Sequence, residues 1–101
     1  MNKFIVLTRT FFEASIKEEV MEMAHQSLPI FKAQKGLISI KMHLDSEGKH
    51  TMTYFEWETQ EDHEACTQSP DFGEWNTKWG ELMASGKLTW DLNAYEIIDE
   101  G

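Results

Sequence analysis

The stretch Gly36–Phe72, GLISIKMHLDSEGKHTMTYFEWETQEDHEACTQSPDF, does most to restrict what this chain can become. Two runs of β-forming residues, Leu37–Leu44 and His50–Trp57, flank the polar segment Asp45-Ser46-Glu47-Gly48. Turn residues between two alternating runs specify a β-hairpin. The second run passes directly into Thr59-Gln60-Glu61-Asp62. A hydroxyl residue followed three positions later by an acid starts a helix, here with Thr59 as N-cap. The rest of the chain reads as material that packs onto this unit.

Before it, Phe4–Phe11 reads as a strand. Phe4, Val6, Thr8 and Thr10 share one face, and Ile5, Leu7, Arg9 and Phe11 the other. A helix follows, because Ile16, Val20, Met23, Ala24 and Leu28 form one stripe at spacings of three and four. Ser15 or Glu13 is placed to start it. Pro29 lacks an amide donor and clashes with the preceding turn, so the helix is expected to break or kink there and resume to about Gln34, stopping at Gly36. In the hairpin, Ile38, Ile40, Met42 and Leu44 face one way and Ser39, Lys41 and His43 the other. Thr51, Thr53, Phe55 and Trp57 oppose Met52, Tyr54 and Glu56. A short helix is predicted from Gln60 to Thr67. Ser69-Pro70 then starts another helix, carrying Phe72, Trp75, Trp79, Leu82 and Met83 and ending at Gly86. Lys87–Ile98 reads as the last strand.

The order is β-α-β-β-α-β, which predicts a ferredoxin-like α+β fold with a four-stranded antiparallel sheet and helices on one face. At 101 residues it is expected to form one domain, residues 1–101. Ile5, Leu7, Phe11 and one of Phe55 or Trp57 are expected on the uncovered face. A monomer rarely exposes an apolar sheet of that size. A two-fold homodimer packed through its sheet faces is therefore predicted.

Charge and cysteine usage narrow the function classes. The net charge of −9 disfavours nucleic acid and anionic membrane surfaces, which call for Lys and Arg clusters. No apolar run approaches the ~20 residues of a membrane span. Met1-Asn2-Lys3 leads straight into strand-like sequence, so no signal peptide is expected. The single cysteine, Cys66, forms no intramolecular disulfide, and a reducing cytoplasm is the simplest compartment. No metal site is expected: His63-Glu64-Ala65-Cys66-Thr67 begins like a His-Glu-x-x-His motif but ends in Thr.

The glycine-started strand Lys35-Gly36-Leu37, the strand end Phe55-Glu56-Trp57 and the run from Glu61 through Ser69-Pro70-Asp71-Phe72 resemble the antibiotic biosynthesis monooxygenase family of dimeric α/β barrels. The likeness extends over nearly the whole chain. Many members carry histidines where this chain has Cys66 and Asp71. The haem-degrading branch uses Asn, Trp and His at the positions that here hold Thr8, Cys66 and Asn76, which disfavours haem breakdown. The resemblance implies a quinol-type oxygenase that needs neither metal nor flavin. A phenol or hydroquinone is deprotonated in a dry pocket, and its anion passes an electron directly to dioxygen.

That chemistry requires an aromatic cavity, a proton acceptor and donors for the developing oxyanion. Trp57, Phe72, Trp75 and Trp79 are candidates for the wall, with Cys66 beside them. Asn76, Tyr54 and Thr8 are candidates to hydrogen-bond ring oxygens, and His63, His43 or Asp71 to take the proton. Asn76, His63 and Tyr54 are the favoured catalytic group. Each has a plainer reading. The aromatic stripe also suits a core, His43 and His63 suit the surface, and Cys66 suits an inert buried thiol. From a different class, a non-catalytic, small-molecule-binding or stress-associated dimeric barrel would use the same cavity.

Overall fold

The computed structural model describes residues 3–101. Met1 and Asn2, part of the N-terminal reading above, lie outside the described residues. The strands are β1 (Phe4–Phe12), β2 (Leu37–Leu44), β3 (His50–Trp57) and β4 (Leu88–Tyr95). The helices are α1 (Lys17–Lys32), α2 (Gln60–Thr67) and α3 (Gly73–Ala84), with 3-10 turns at Ala14–Ile16 and Pro70–Phe72. The four strands form one antiparallel sheet in the order β2-β3-β1-β4. This is the ferredoxin-like arrangement that the element order predicts.

Register decides which side chains share a face. Val6 lies opposite Phe55 and Ala94, Thr8 opposite Thr53 and Leu92, and Thr10 opposite Thr51 and Trp90. Opposed residues point the same way. Val6, Phe55 and Trp57 are buried with Cys66 and Phe72 in one core cluster. Ile16, Val20 and Leu88 form a second, against Phe12 and Trp79. The face led by Val6 and Phe55 is therefore the one beneath the helices. Burying a large apolar side chain contributes ~1.5–3 kcal/mol, and Trp57, at 0% exposed, is the largest such side chain here.

Phe55 and Trp57 thus belong to the helix-covered face, and one of them was expected on the bare one. Strand alternation groups residues by face but does not say which group the helices cover. The bare face carries Leu7 and Phe11 with Arg9, Met52 and Tyr54, and Phe11 is 38% exposed. Ile38 leaves its expected row as well. A register irregularity between Leu37 and Ser39 sets Leu37 opposite Trp57 and leaves Ile38 exposed.

Helix α1 runs unbroken through Pro29, against the expected break. The proline removes only the donor to the His25 carbonyl, and His25 is exposed, so water can satisfy that group. Beyond it, Ile30 and Phe31 pack on the core cluster, which holds the last turn in place. The second helical region is divided more than expected. Gly73, at φ 31°, separates the turn Pro70–Phe72 from α3. Met83, expected on the apolar stripe, is 39% exposed. Strand β4 stops at Tyr95, short of the predicted Ile98.

The cap signals behave as read. Thr59 Oγ1 accepts from the Asp62 amide at 3.1 Å, and Ser69 Oγ from the Asp71 amide at 3.1 Å. These two caps fix where α2 begins and where the chain re-enters helix below it, which positions the site.

Candidate active site

Between the sheet and its helices lies a cavity of about 280 Å³. Its floor is the middle of the sheet: Thr8 and Thr10 from β1, Thr51 and Thr53 from β3, and Met42 from β2. Four threonines in two opposed pairs put hydroxyls under an otherwise apolar space. The roof comes from Val20, Ala24, Ser27 and Phe31 of α1, His63, Cys66 and Thr67 of α2, and Trp75, Asn76 and Trp79 of α3. Trp90 and Leu92 of the edge strand β4 stand at its open side, 44% and 38% exposed.

An aromatic band closes the inner wall. Phe31 meets Phe55 and Phe72 edge-on, each with ring centroids 4.9 Å apart. Phe72 continues to Trp75 at 5.9 Å, and Trp75 stacks on Trp79 at 4.8 Å and 16°. Trp75 Nε1 donates to the Met23 carbonyl at 2.8 Å, which ties α3 to α1. Trp57 is different: its Nε1–H is buried and has no acceptor. An unpaired buried donor costs ~1–3 kcal/mol.

His63 sits at one corner, its ring 5.6 Å from Phe4 and 5.8 Å from Trp57. Burial lowers its pKa from 6.5, with Glu64 opposing weakly, so the imidazole is neutral at physiological pH. Cys66, one turn further on the same helix, is 5% exposed. Burial pushes its thiol up from 9.0 to about 11, so it is protonated. No Lys, Arg, Asp, Glu or Tyr is among the lining residues. The cavity therefore works by apolar contact and neutral hydrogen bonding. No group of three His, Cys, Asp or Glu able to hold a metal ion occurs among the described residues.

Of the residues singled out in the sequence, Thr8, Trp57, His63, Cys66, Phe72, Trp75, Asn76 and Trp79 come together here. Asn76 is an exposed residue that reaches the lining, so it belongs to the rim. Tyr54 does not join them. It lies on the helix-free face, opposite Leu7 and Lys41, because β3 alternates and its neighbours Thr53 and Phe55 take the cavity side. His43 is exposed and bonds the Met52 carbonyl at 3.0 Å. Asp71 is exposed and accepts from Gln34 Nε2 at 3.1 Å. Neither reaches the cavity. Sequence reasoning named Thr8 but missed Thr10, Thr51 and Thr53 of the floor, and Ser27. Thr51 and Thr53 share a face with Trp57, so the alternation already contained them. Ser27, 2% exposed and donating to the Ala24 carbonyl at 2.8 Å, gave no signal.

An antiparallel ferredoxin-like sheet with a cavity beneath its helices is the frame of a known class of small domains. The chain matches the antibiotic biosynthesis monooxygenase family over residues 4–78 and belongs to it. Among solved structures, Rv0793 from Mycobacterium tuberculosis superposes with TM-score 0.82 at 14% identity, over 97% of this chain and 97% of that one. SnoaB from Streptomyces nogalater, a cofactor-independent oxygenase solved in a mutant form, gives TM-score 0.80 at 10% identity over 99% and 97%. A dimeric ferredoxin-like protein from an uncultured marine organism gives 0.76 at 16% identity over 100% of both. At such identities these relatives establish the fold. No curated protein matches the chain.

Proposed function

We propose that this protein is a cofactor-independent monooxygenase that oxidises a small phenol or quinol in the cavity above the threonine floor. The observation that carries the proposal is the cavity of about 280 Å³ itself, walled by aromatic rings, with the neutral His63 imidazole among its lining residues and threonines beneath. Membership of a monooxygenase family and the fold shared with a cofactor-independent oxygenase support the same reading.

His63, the threonines and Asn76 take distinct roles in this scheme. The neutral His63 imidazole accepts the phenol proton. The Thr8 and Thr53 hydroxyls stabilise the anion as it forms. Asn76 meets a second ring oxygen at the rim. The phenolate gives one electron to dioxygen, and the two radicals join at a ring carbon that bears hydrogen. The resulting peroxide loses water and leaves a carbonyl, so one phenol and one dioxygen become one quinone and one water. The aromatic band holds the ring and keeps bulk water from the anion. Its size restricts the substrate: a dry cavity of ~150 Å³ accepts benzene, so about 280 Å³ suits two or three fused rings.

The working form in this proposal is a homodimer in a reducing compartment. The exposed apolar groups on the helix-free face and the dimeric relative of the same fold support the first part. The lone unpaired cysteine supports the second.

Oxygen uptake tests the activity. A panel of hydroxynaphthalenes and hydroquinones, without added metal or flavin, should give uptake above the no-protein control. Thr8→Val should lower kcat/KM by about 10²-fold, the effect of losing one oxyanion donor. No uptake across the panel would remove the enzyme reading.

A further inference from the structure

Thr8 and Thr10 of β1 stand opposite Thr53 and Thr51 of β3, and all four line the cavity. The Thr59 and Thr67 hydroxyls bond backbone groups of α2. Those of Thr8, Thr10, Thr51 and Thr53 bond no protein group among the described residues. Nor are they sealed off. Among the described residues, Trp57 Nε1 is the only buried side-chain polar atom that is both closed to solvent and unpaired. Each of the four hydroxyls therefore keeps accessible surface, and the space that the four share is the cavity. Thr10 is only 8% exposed as a whole residue, so its open surface lies inside.

Apolar packing closes this polar floor at both ends. The inward positions along β1 are Val6, Thr8, Thr10 and Phe12. Val6 belongs to the cluster with Phe55 and Trp57, and Phe12 packs on the cluster with Leu88. Two rows of hydroxyls are thus all that the floor offers, one two-residue strand repeat apart, ~6.8 Å. Within a row the opposed side chains start ~4.5–5.5 Å apart, so one ligand oxygen can sit between two hydroxyls. No Lys, Arg, Asp or Glu lines the cavity, so the oxygens met there are neutral hydroxyls or carbonyls. Valine has the shape of threonine and would pack the same floor. Four hydroxyls left without partners beneath helices cost stability, which marks the place as a site and not as core.

We propose that Thr10 and Thr51 form a second oxygen-recognition station, which selects fused aromatic ligands with one oxygen on each of two rings along a common edge. Calling that ligand the substrate rests on the oxygenase reading; the station itself does not. Thr8 and Thr53 hold the first oxygen. The second lies one repeat further on, in the row that ends at Trp90. A phenol with a single oxygen leaves Thr10 and Thr51 facing carbon. Their hydroxyls then lose the water that served them and gain no partner. In the proposed oxygenase the second ring oxygen thus has partners on the floor as well as Asn76 at the rim.

The experiment uses the native full-length chain and titration calorimetry without oxygen, so that no turnover intrudes. In 2,7-dihydroxynaphthalene two oxygens leave one edge of the fused ring at about the strand repeat. The 2,3-isomer has the same atoms with its oxygens adjacent, and 2-naphthol lacks the second oxygen. The 2,7-diol should bind at least ~10-fold tighter than either, the factor for one unmatched polar group. Thr10→Val combined with Thr51→Val should abolish that preference, whereas Thr10→Ser, which keeps a hydroxyl, should preserve it. Far-ultraviolet circular dichroism confirms that each variant is folded, and the three-ligand comparison on the wild type decides the matter without them. The inference is overturned if the three ligands bind equally, if none binds, or if the folded double variant keeps the wild-type preference. Oxygen uptake separates the two proposals. Preference for the 2,7-diol without uptake keeps the station and removes the oxygenase. Uptake with equal binding of the three does the reverse.

Discussion

Trp57 and His63 meet edge to face, ring centroids 5.8 Å apart at 62°, across the junction where β3 gives way to α2. The pair places a buried donor and a neutral base at one corner of the cavity. The strand end fixes the first. The Thr59 cap fixes the second by setting the phase of α2, so that His63 and Cys66 face the sheet.

The depressed pKa of His63 has a stability consequence with a definite sign. Above its unfolded value of 6.5, both folded and unfolded chains carry a neutral ring, and no cost arises. As pH falls through 6.5 towards the lower folded value, the unfolded chain takes up the proton first, and stability drops. His63→Asn should flatten that part of the curve. Urea unfolding at stepped pH reads it directly. If the wild-type and variant slopes coincide below pH 6.5, the ring is not desolvated. In the proposed oxygenase, kcat/KM should likewise stay level through 6.5 and fall only below it.

Gly36 and Asp62 make a second contact across the same junction. Gly36 sits at φ 83°, and a Cβ there would run into the Asp62 carboxylate. Its carbonyl accepts from the Glu58 amide at 2.8 Å. Gly36→Ala should cost at least ~2 kcal/mol, from the left-handed backbone and the displaced acid together. Gly86, at φ 80° with open space around it, provides the comparison. Gly86→Ala should cost ~1 kcal/mol. Equal shifts in denaturation midpoint would mean that the Asp62 contact carries no weight.

The Thr59 cap is testable in the same way. Thr59→Ala should lose ~1 kcal/mol and Thr59→Ser very little, because the hydroxyl is what accepts from Asp62. Since α2 carries His63 and Cys66, the alanine variant should also raise the hydrogen exchange of that helix more than that of α1.

What the sequence disclosed and what it withheld follow from the range of each signal. Local signals read true: the hairpin runs, the Thr59 and Ser69 caps, and the stops near Gly36 and Gly86. Pro29 was misread because a proline's cost is local, whereas Ile30 and Phe31 hold the helix through packing across the core. Tyr54 was misplaced for another reason. A phenol on a strand looks like a site residue, but which face of the strand meets the helices depends on the whole sheet. Thr10, Thr51 and Thr53 were visible in the alternation and passed over, because hydroxyls on a strand are more often surface than cavity. The empty hydrogen-bonding position at Trp57 had no sequence signal, since it depends on what fails to reach Nε1.

Trp75 provides a packing test separate from catalysis. Its indole bonds the Met23 carbonyl at 2.8 Å and is the tie between α3 and α1. Trp75→Phe keeps the ring in the aromatic band and removes the bond. A loss of ~1 kcal/mol is expected, with unchanged cooperativity of unfolding. A loss of several times that amount would mean that the Phe72–Trp75–Trp79 stack itself has collapsed, which near-ultraviolet circular dichroism would register.

The proposed homodimer is best tested at Leu7. It lies mid-strand on the helix-free face, opposite Tyr54 and Asn93 and flanked by Ile5 and Arg9. Arg9 is held in a two-pronged bond to Asp91, at 3.1 and 2.6 Å, so its charge is compensated within this face. Leu7→Glu places a carboxylate there, and two-fold symmetry would bring its copies near one another. The wild type should run as a dimer by light scattering at micromolar concentration, and the variant as a folded monomer with unchanged far-ultraviolet circular dichroism. A wild-type monomer would end the dimer proposal. A variant that stays dimeric would move the interface away from this face, with the exposed edge of β4 at Trp90 and Leu92 the next surface to substitute.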